Sequence, residues 1–205
     1  MGGDHYDVIA RDRGRVAVTI ADVSGKGTPA SLLMASVHAW LRALAGTTSP
    51  PAFMERLNRF LYASTQANKY VTLFYAELEP SSRRLVYVNG GHVPPFLVRA
   101  DGRGERLLAG GTALGLLEQG FYEAGEVCLE AGDALVMVTD GATEALSPED
   151  VEFGDERIFD IISEARGEGA SALLERLVGA VHGWSGSAGC TDDLTALVLQ
   201  ACQES

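Results

Sequence analysis

Residues 16–30 read VAVTIADVSGKGTPA, and how this stretch is read decides the fold. Val16, Val18 and Ile20 alternate with Ala17, Thr19 and Ala21, the period of a strand with a buried face. Asp22 ends that strand and a loop follows at Gly25-Lys26-Gly27. Thr28 is then the expected N-cap and Pro29 the first-turn proline of a helix. Leu32, Leu33, Ser36, Val37, Trp40, Leu41 and Leu44 continue at helical spacing until Gly46 stops the run. A carboxylate at the end of an apolar strand is costly to desolvate unless a cation or a donor compensates it. A glycine loop beside it lets backbone carbonyls approach the same ion. An Asx-turn cap would account equally well for Asp22 taken alone.

Working outward, Tyr6–Ala10 and the turn Arg11-Asp12-Arg13-Gly14 make a hairpin with the first strand. A second helix fits Pro51–Thr65, with Phe53, Leu57, Phe60 and Leu61 on one side. Strands at Tyr70–Glu79 and Arg84–Asn89 flank the turn Pro80-Ser81-Ser82. Short strands follow at Phe96–Arg99, Glu105–Leu108, Glu126–Leu129 and Ala134–Thr139, parted by turns at Asp101-Gly102, Gly110-Gly111 and Ala131-Gly132-Asp133. Helices at Asp155–Ala165 and Ala170–Trp184 and a last strand at Leu194–Leu199 close the chain. This order predicts an α+β fold with helices covering both faces of a β-sandwich.

Three further aspartates share the setting of Asp22. Asp140 follows the continuous apolar run Leu135-Val136-Met137-Val138-Thr139, the signature of a fully buried strand, and precedes Gly141. Asp192 and Asp193 stand just before the last strand, one suited to bind metal and the other to orient a neighbour. Asp4 lies in Gly2-Gly3-Asp4-His5-Tyr6-Asp7 at the start. Four such positions suggest one shared site for a hard cation. The loop Gly25-Lys26-Gly27-Thr28 lacks the GxxxxGK[ST] spacing, which argues against a nucleotide triphosphatase.

Composition narrows the classes. The 205 residues are enough for one substantial core with no linker, and charge is spread along the chain to a formal net of -12, which leaves no basic footprint for nucleic acid or anionic lipid. Cys128, Cys190 and Cys202 form no CxxC, so reduced thiols in a cytoplasmic protein are expected. The most apolar stretch, Ala30–Ala45, contains His38 and Arg42 and predicts no membrane span; the first residues predict no signal peptide. A ligand-type aspartate at position 4 predicts a domain lacking its first strands and any upstream regulatory domain.

In this order the motifs resemble the metal-dependent protein phosphatases of the protein phosphatase 2C type, in the bacterial branch of the SpoIIE and RsbU regulators. The matching residues are Gly2 to Asp7, Ala21 to Gly27 with Pro29-Ala30, Val71 to Phe74, Asn89 to His92 with Pro94-Pro95, Thr139-Asp140-Gly141 with Glu144-Ala145, Phe153-Gly154, and Asp192 to Thr195. The resemblance implies a four-layer αββα sandwich of two antiparallel sheets flanked by helix pairs, spanning residues 1–205. It implies two Mn²⁺ or Mg²⁺ ions held by Asp4, Asp22, the Val23 carbonyl, Asp140, Asp192 and Asp193, with Asp22 bridging. Ligation by oxygen alone suits these ions rather than zinc.

The implied reaction is hydrolysis of phosphoserine or phosphothreonine in a protein by metal-activated water. The implied substrate is a phosphorylated anti-sigma-factor antagonist, under an upstream sensor or activator. Two departures stand out: Ser24 replaces the general-acid histidine of the eukaryotic-type enzymes, and the segment bearing their phosphate-binding arginine is absent. His92 is then either a proton donor or a brace for the Asn89–Pro95 turn, with the brace favoured, and Lys26 and Lys69 are candidates to attract phosphate. The competing class is a phosphatase-fold binding module without chemistry, which loss of the aspartates would mark; all are present.

Overall fold

The computed structural model of the chain describes residues 3–65, 69–186 and 192–202. These fall into two compact units, each built from two stretches: Met1–Pro94 with Leu108–Cys128, and Pro95–Leu107 with Leu129–Ser205. The chain passes between the units more than once, so no single linker marks the division in the sequence.

In the first unit, β1 (His5–Ala10) and β2 (Val16–Val23) form the expected hairpin around a 3-10 turn at Asp12–Gly14. α1 (Thr28–Leu44) and α2 (Pro50–Ser64) follow, then β3 (Val71–Glu79) and β4 (Arg84–Gly90). The sheet runs β1-β2-β3-β4, and β4 also carries β7 (Gly110–Gly111) and β8 (Gly125–Cys128). All these pairings are antiparallel except β4 with β7, where Asn89 and Gly90 run parallel to Gly110 and Gly111. The sequence reading placed only a turn at Gly110-Gly111; two residues are too few to show a period.

Helices α1 and α2 bury Met34, Val37, Leu41, Phe53, Leu57 and Leu61 in one core with Ala17, Ala21, Leu73 and Tyr75. The helices therefore lie on the alanine side of β2, and Val18 and Ile20 on its other face are buried as well. A strand read as having one buried face has two, because small alanines make room for the large helix side chains. Phe53 stacks on Tyr75 with ring centroids 4.7 Å apart. Thr28 begins α1 instead of capping it: Gly27 precedes the helix at φ 83°, and no side chain caps the end. Positive φ at Gly27 turns the chain into the helix one residue earlier than a threonine cap would require.

The second unit holds β5 (Phe96–Val98), β6 (Gly104–Arg106), β9 (Ala134–Val138) and β10 (Ala196–Gln200), paired antiparallel in the order β10-β9-β5-β6. All of β9 is buried, as its unbroken apolar run predicts. α3 (Asp140–Thr143) is a single turn, while α4 (Gly154–Glu164) and α5 (Ala170–Ser185) bury Ile158, Ile162, Leu173, Leu177 and Val181. The mixed α+β class with two sheets, each in a unit with a pair of long helices, is as the sequence predicts. No helix among the described residues is long and apolar enough to cross a membrane. Cys128 and Cys202 are exposed free thiols; Cys190 and Gly2 lie outside the described residues.

Candidate active site

The antiparallel ladder of the first unit positions Asp22. His5 pairs with Ala21, so the register carried one residue outward sets Asp4 across from Asp22. On the other side Asp22 pairs with Thr72 and Val23 with Val71. Gly3 packs directly on this pair: a Cβ placed there would lie 2.7 Å from the Val23 carbonyl oxygen and 2.8 Å from Asp22 Oδ1. Only a glycine brings the chain so close, and the approach holds Asp4 beside the Asp22 carboxylate and the Val23 carbonyl. Three oxygen donors of the kind hard cations take are thus assembled on adjacent strand ends.

A bracing network lies behind them. The Thr72 hydroxyl donates to the Asp22 carbonyl at 3.4 Å and shares a 2.9 Å hydrogen bond with His92 Nδ1. The Asn89 side chain grips His92 from both sides, accepting from its N–H at 2.7 Å and donating to its carbonyl at 3.0 Å. His92 is buried, which supports the brace. The one Thr72 proton serves either the Asp22 carbonyl or His92 Nδ1, and the His92 tautomer follows from which it serves. Lys69 closes the glycine loop by donating to the Ser24 carbonyl at 3.0 Å, and the Ser24 hydroxyl accepts from the Tyr70 N–H at 3.0 Å. The Lys69 ammonium expected to attract phosphate is engaged in holding the loop; Lys26 is exposed on it.

In the second unit Asp140 opens α3 directly after β9 and Thr139. The Thr139 N–H donates to the Thr195 carbonyl at 3.0 Å, and the Thr195 N–H donates to the Thr139 hydroxyl at 3.0 Å. This clamp carries the β9–β10 pairing outward to the aspartates. Gly141 meets the Asp193 carbonyl, leaving no room for a Cβ, so the Asp140 turn and the Asp192-Asp193 segment pack backbone to backbone. Asp192 Oδ1 accepts the Asp193 N–H at 2.9 Å, an arrangement that orients its carboxylate. Negative charge accumulates here: burial, then Asp140, Glu152 and Asp192, push the Glu144 carboxyl above its ordinary pKa.

The structure thus brings Asp4, Asp22 and Val23 together in the first unit, and Asp140, Asp192 and Asp193 in the second. The donors in both sets are oxygens only, and they fit Mg²⁺ or Mn²⁺: a glycine cradle in one, and in the other aspartates whose charge bears on Glu144. Sequence reasoning quoted Gly3, Thr72 and Asn89 within motifs without giving them roles. The pairing of β2 with β3 sets Thr72 beside Asp22, a contact between strands that two helices separate in the sequence. Glu144 was likewise quoted within a motif without a role; its perturbation comes from burial and from Asp140, Glu152 and the distant Asp192.

The sequence model of the family described as Stage II sporulation protein E (SpoIIE) matches residues 12–201. The phosphoserine phosphatase RsbU of Bacillus subtilis is 33% identical over 146 residues, covering 70% of this chain and 43% of that protein. The chain spans less than half the length of the curated relatives it matches. A crystal structure of the RsbU and RsbW domains of a Mycobacterium tuberculosis protein superposes with a TM-score of 0.76 at 27% identity, covering 98% of this chain and 56% of that one. RsbX, solved in complex with magnesium, shares the fold at a TM-score of 0.70 and 19% identity, covering 97% of this chain and 86% of that one.

Proposed function

The chain belongs to the SpoIIE family, and on that premise we propose that it is a metal-dependent protein serine/threonine phosphatase. The observation that carries the reading is the packing of Gly3 against Asp22 and the Val23 carbonyl, a close approach that sets the Asp4 segment beside two oxygen donors as a cation site requires. Asp4, Asp22 and the Val23 carbonyl, with Asp140, Asp192 and Asp193, are the residues that would hold two Mg²⁺ or Mn²⁺ ions. Such ions supply a water acidic enough to attack at neutral pH and neutralise the phosphoryl oxygens.

The chain's own residues hold and orient. Asp22 is fixed by its pairing with Thr72 and by the preceding Ala21 paired with His5, and Thr72 and His92 keep its strand end in place. Asp192 is oriented by the Asp193 N–H. The Ser24 hydroxyl accepts the Tyr70 N–H and so helps to hold the glycine loop, and the attacking group in this reading is the metal-activated water. The substrate inferred from the RsbU branch is a phosphorylated anti-sigma-factor antagonist, acted on in the cytoplasm under an upstream sensor domain. The exposed thiols of Cys128 and Cys202 and the coverage of less than half of RsbU support that setting.

The test is hydrolysis of a phosphoserine peptide with Mn²⁺, with Mg²⁺ and with chelator. Turnover that requires either ion is expected. Turnover that survives chelation overturns the mechanism, and none under any condition favours a binding module that keeps the fold without the chemistry.

A further inference from the structure

Two of the four histidines of the chain meet at a place the phosphatase reading leaves unused. His5 and Asp7 stand two residues apart on one face of β1, and His38 faces them from α1. His38 Nδ1 lies 3.2 Å from His5 Nε2 and 3.7 Å from Asp7 Oδ2, and one ligand atom from each residue lies within 4.8 Å of the other two. Asp7 is buried; its Oδ1 takes the Arg42 guanidinium at 2.5 Å, while Oδ2 has no hydrogen-bond partner among the described residues. A buried carboxylate oxygen without a donor is costly, and here it is turned toward two imidazoles.

We propose that His5 Nε2, His38 Nδ1 and Asp7 Oδ2 form a second cation site, taking a borderline first-row divalent ion such as Zn²⁺ or Co²⁺ and tying β1 to α1. Donors 2.0–2.1 Å from a tetrahedral ion stand roughly 3.3 Å apart; the 3.2 Å and 3.7 Å spacings are already close to this, and the widest of the three, within 4.8 Å, is the one an ion would draw in. Imidazole nitrogen with one carboxylate selects such ions over Mg²⁺ and Mn²⁺, which the oxygen-only donors of the phosphatase set prefer. Arg42 on Oδ1 orients the carboxylate from its far side, as partners of a metal-bound carboxylate commonly do, and leaves Oδ2 for the ion. His38 is about half exposed, which gives an ion a path in from solvent. The bound ion would bridge positions 33 residues apart, joining the strand that follows Asp4 to the helix that follows the glycine loop.

Calorimetric titration of the full chain with Zn²⁺ in saturating Mg²⁺ tests this, with Co²⁺ absorption in the visible reporting the ligand field. One Zn²⁺ per chain is expected that Mg²⁺ does not displace, with an intense Co²⁺ band typical of a low-coordinate nitrogen-containing site. His38→Ala should weaken Zn²⁺ binding at least about tenfold and abolish the Co²⁺ band. Asp22→Asn should leave both unchanged. Equal Zn²⁺ affinity in wild type and His38→Ala, or loss of the site in Asp22→Asn but not in His38→Ala, overturns the proposal. If His38→Ala lowers thermal stability, His38→Gln, which keeps bulk and polarity, must also lose the Co²⁺ band; a band that persists overturns the proposal too. These readouts are independent of phosphatase activity, so an inactive enzyme leaves the test intact.

Discussion

In the first unit Asp22 stands between two paired strands, with Gly3 packed on its carboxylate, whereas in the second Asp192 is exposed and Asp140 opens a helix of only four residues. The first set is organised by backbone hydrogen bonds that exist whether or not an ion is bound. The second is organised by one threonine clamp and a close glycine contact, and its carboxylates, after burial, hold the Glu144 carboxyl above its ordinary pKa. The first set holds geometry and the second concentrates charge around Glu144.

If both halves serve the reaction, removing a carboxylate from either should be equally damaging. Asp22→Asn and Asp140→Asn are each expected to cut Mn²⁺-dependent hydrolysis of a phosphoserine peptide by at least about 10²-fold. Both should fold at least as stably as wild type without cation, because mutual repulsion is relieved. Circular dichroism melts beside initial rates decide it; a wild-type rate in one variant removes that half from the reaction. Glycine substitutions sharpen the contrast. Gly3→Ala drives a methyl into Asp22 and the Val23 carbonyl, and Gly141→Ala into the Asp193 carbonyl. Each should weaken Mn²⁺ binding in a titration, with about 1–3 kcal/mol of lost stability. Gly141→Ala should lose more stability, since the backbone oxygen it meets stands closer to the added Cβ than the one that Gly3 meets at 2.7 Å.

Much of this was legible in advance because strand periodicity and end residues carry it. The β2 run up to Asp22, the unbroken β9 run up to Asp140 and the helical spacing of α1 each state their element locally. What the sequence left dark depends on partners distant along the chain. The pairing of Gly110-Gly111 with β4 leaves no side-chain pattern to read. The engagement of Lys69 by the Ser24 carbonyl and the meeting of His38 with His5 and Asp7 are set by how α1 and β3 fall beside the hairpin. Thr28 misled because a threonine before a proline is a good cap, yet Gly27 at positive φ took the position.

His92 separates scaffold from chemistry within the first set. It shares hydrogen bonds with Thr72 and Asn89 while buried, so His92→Ala should cost about 1–3 kcal/mol in a denaturant melt. Activity should fall only as far as Asp22 is displaced, and the shape of the pH–rate profile should not change. Loss of the alkaline limb at unchanged stability would instead make His92 the proton donor.

The smallest expected effect probes the charged half. The pKa of Glu144 is raised above its unfolded value, by burial first and then by Asp140, Glu152 and Asp192, so the folded state binds that proton more tightly than the unfolded chain does. Its stabilising contribution is therefore full below the ordinary glutamate pKa and is lost as pH rises through the raised value. Glu144→Gln removes the penalty, so without divalent cation it should melt slightly above wild type at neutral pH, with the gap closing at acid pH. Glu144 is largely exposed, and solvent screening keeps the gap small. A cation held by Asp140 and Asp192 cancels the field that raises Glu144, so saturating Mn²⁺ should shrink the neutral-pH gap further. A gap that Mn²⁺ leaves untouched would show that the ion does not sit among these carboxylates, and the division of labour between the two halves would fail with it.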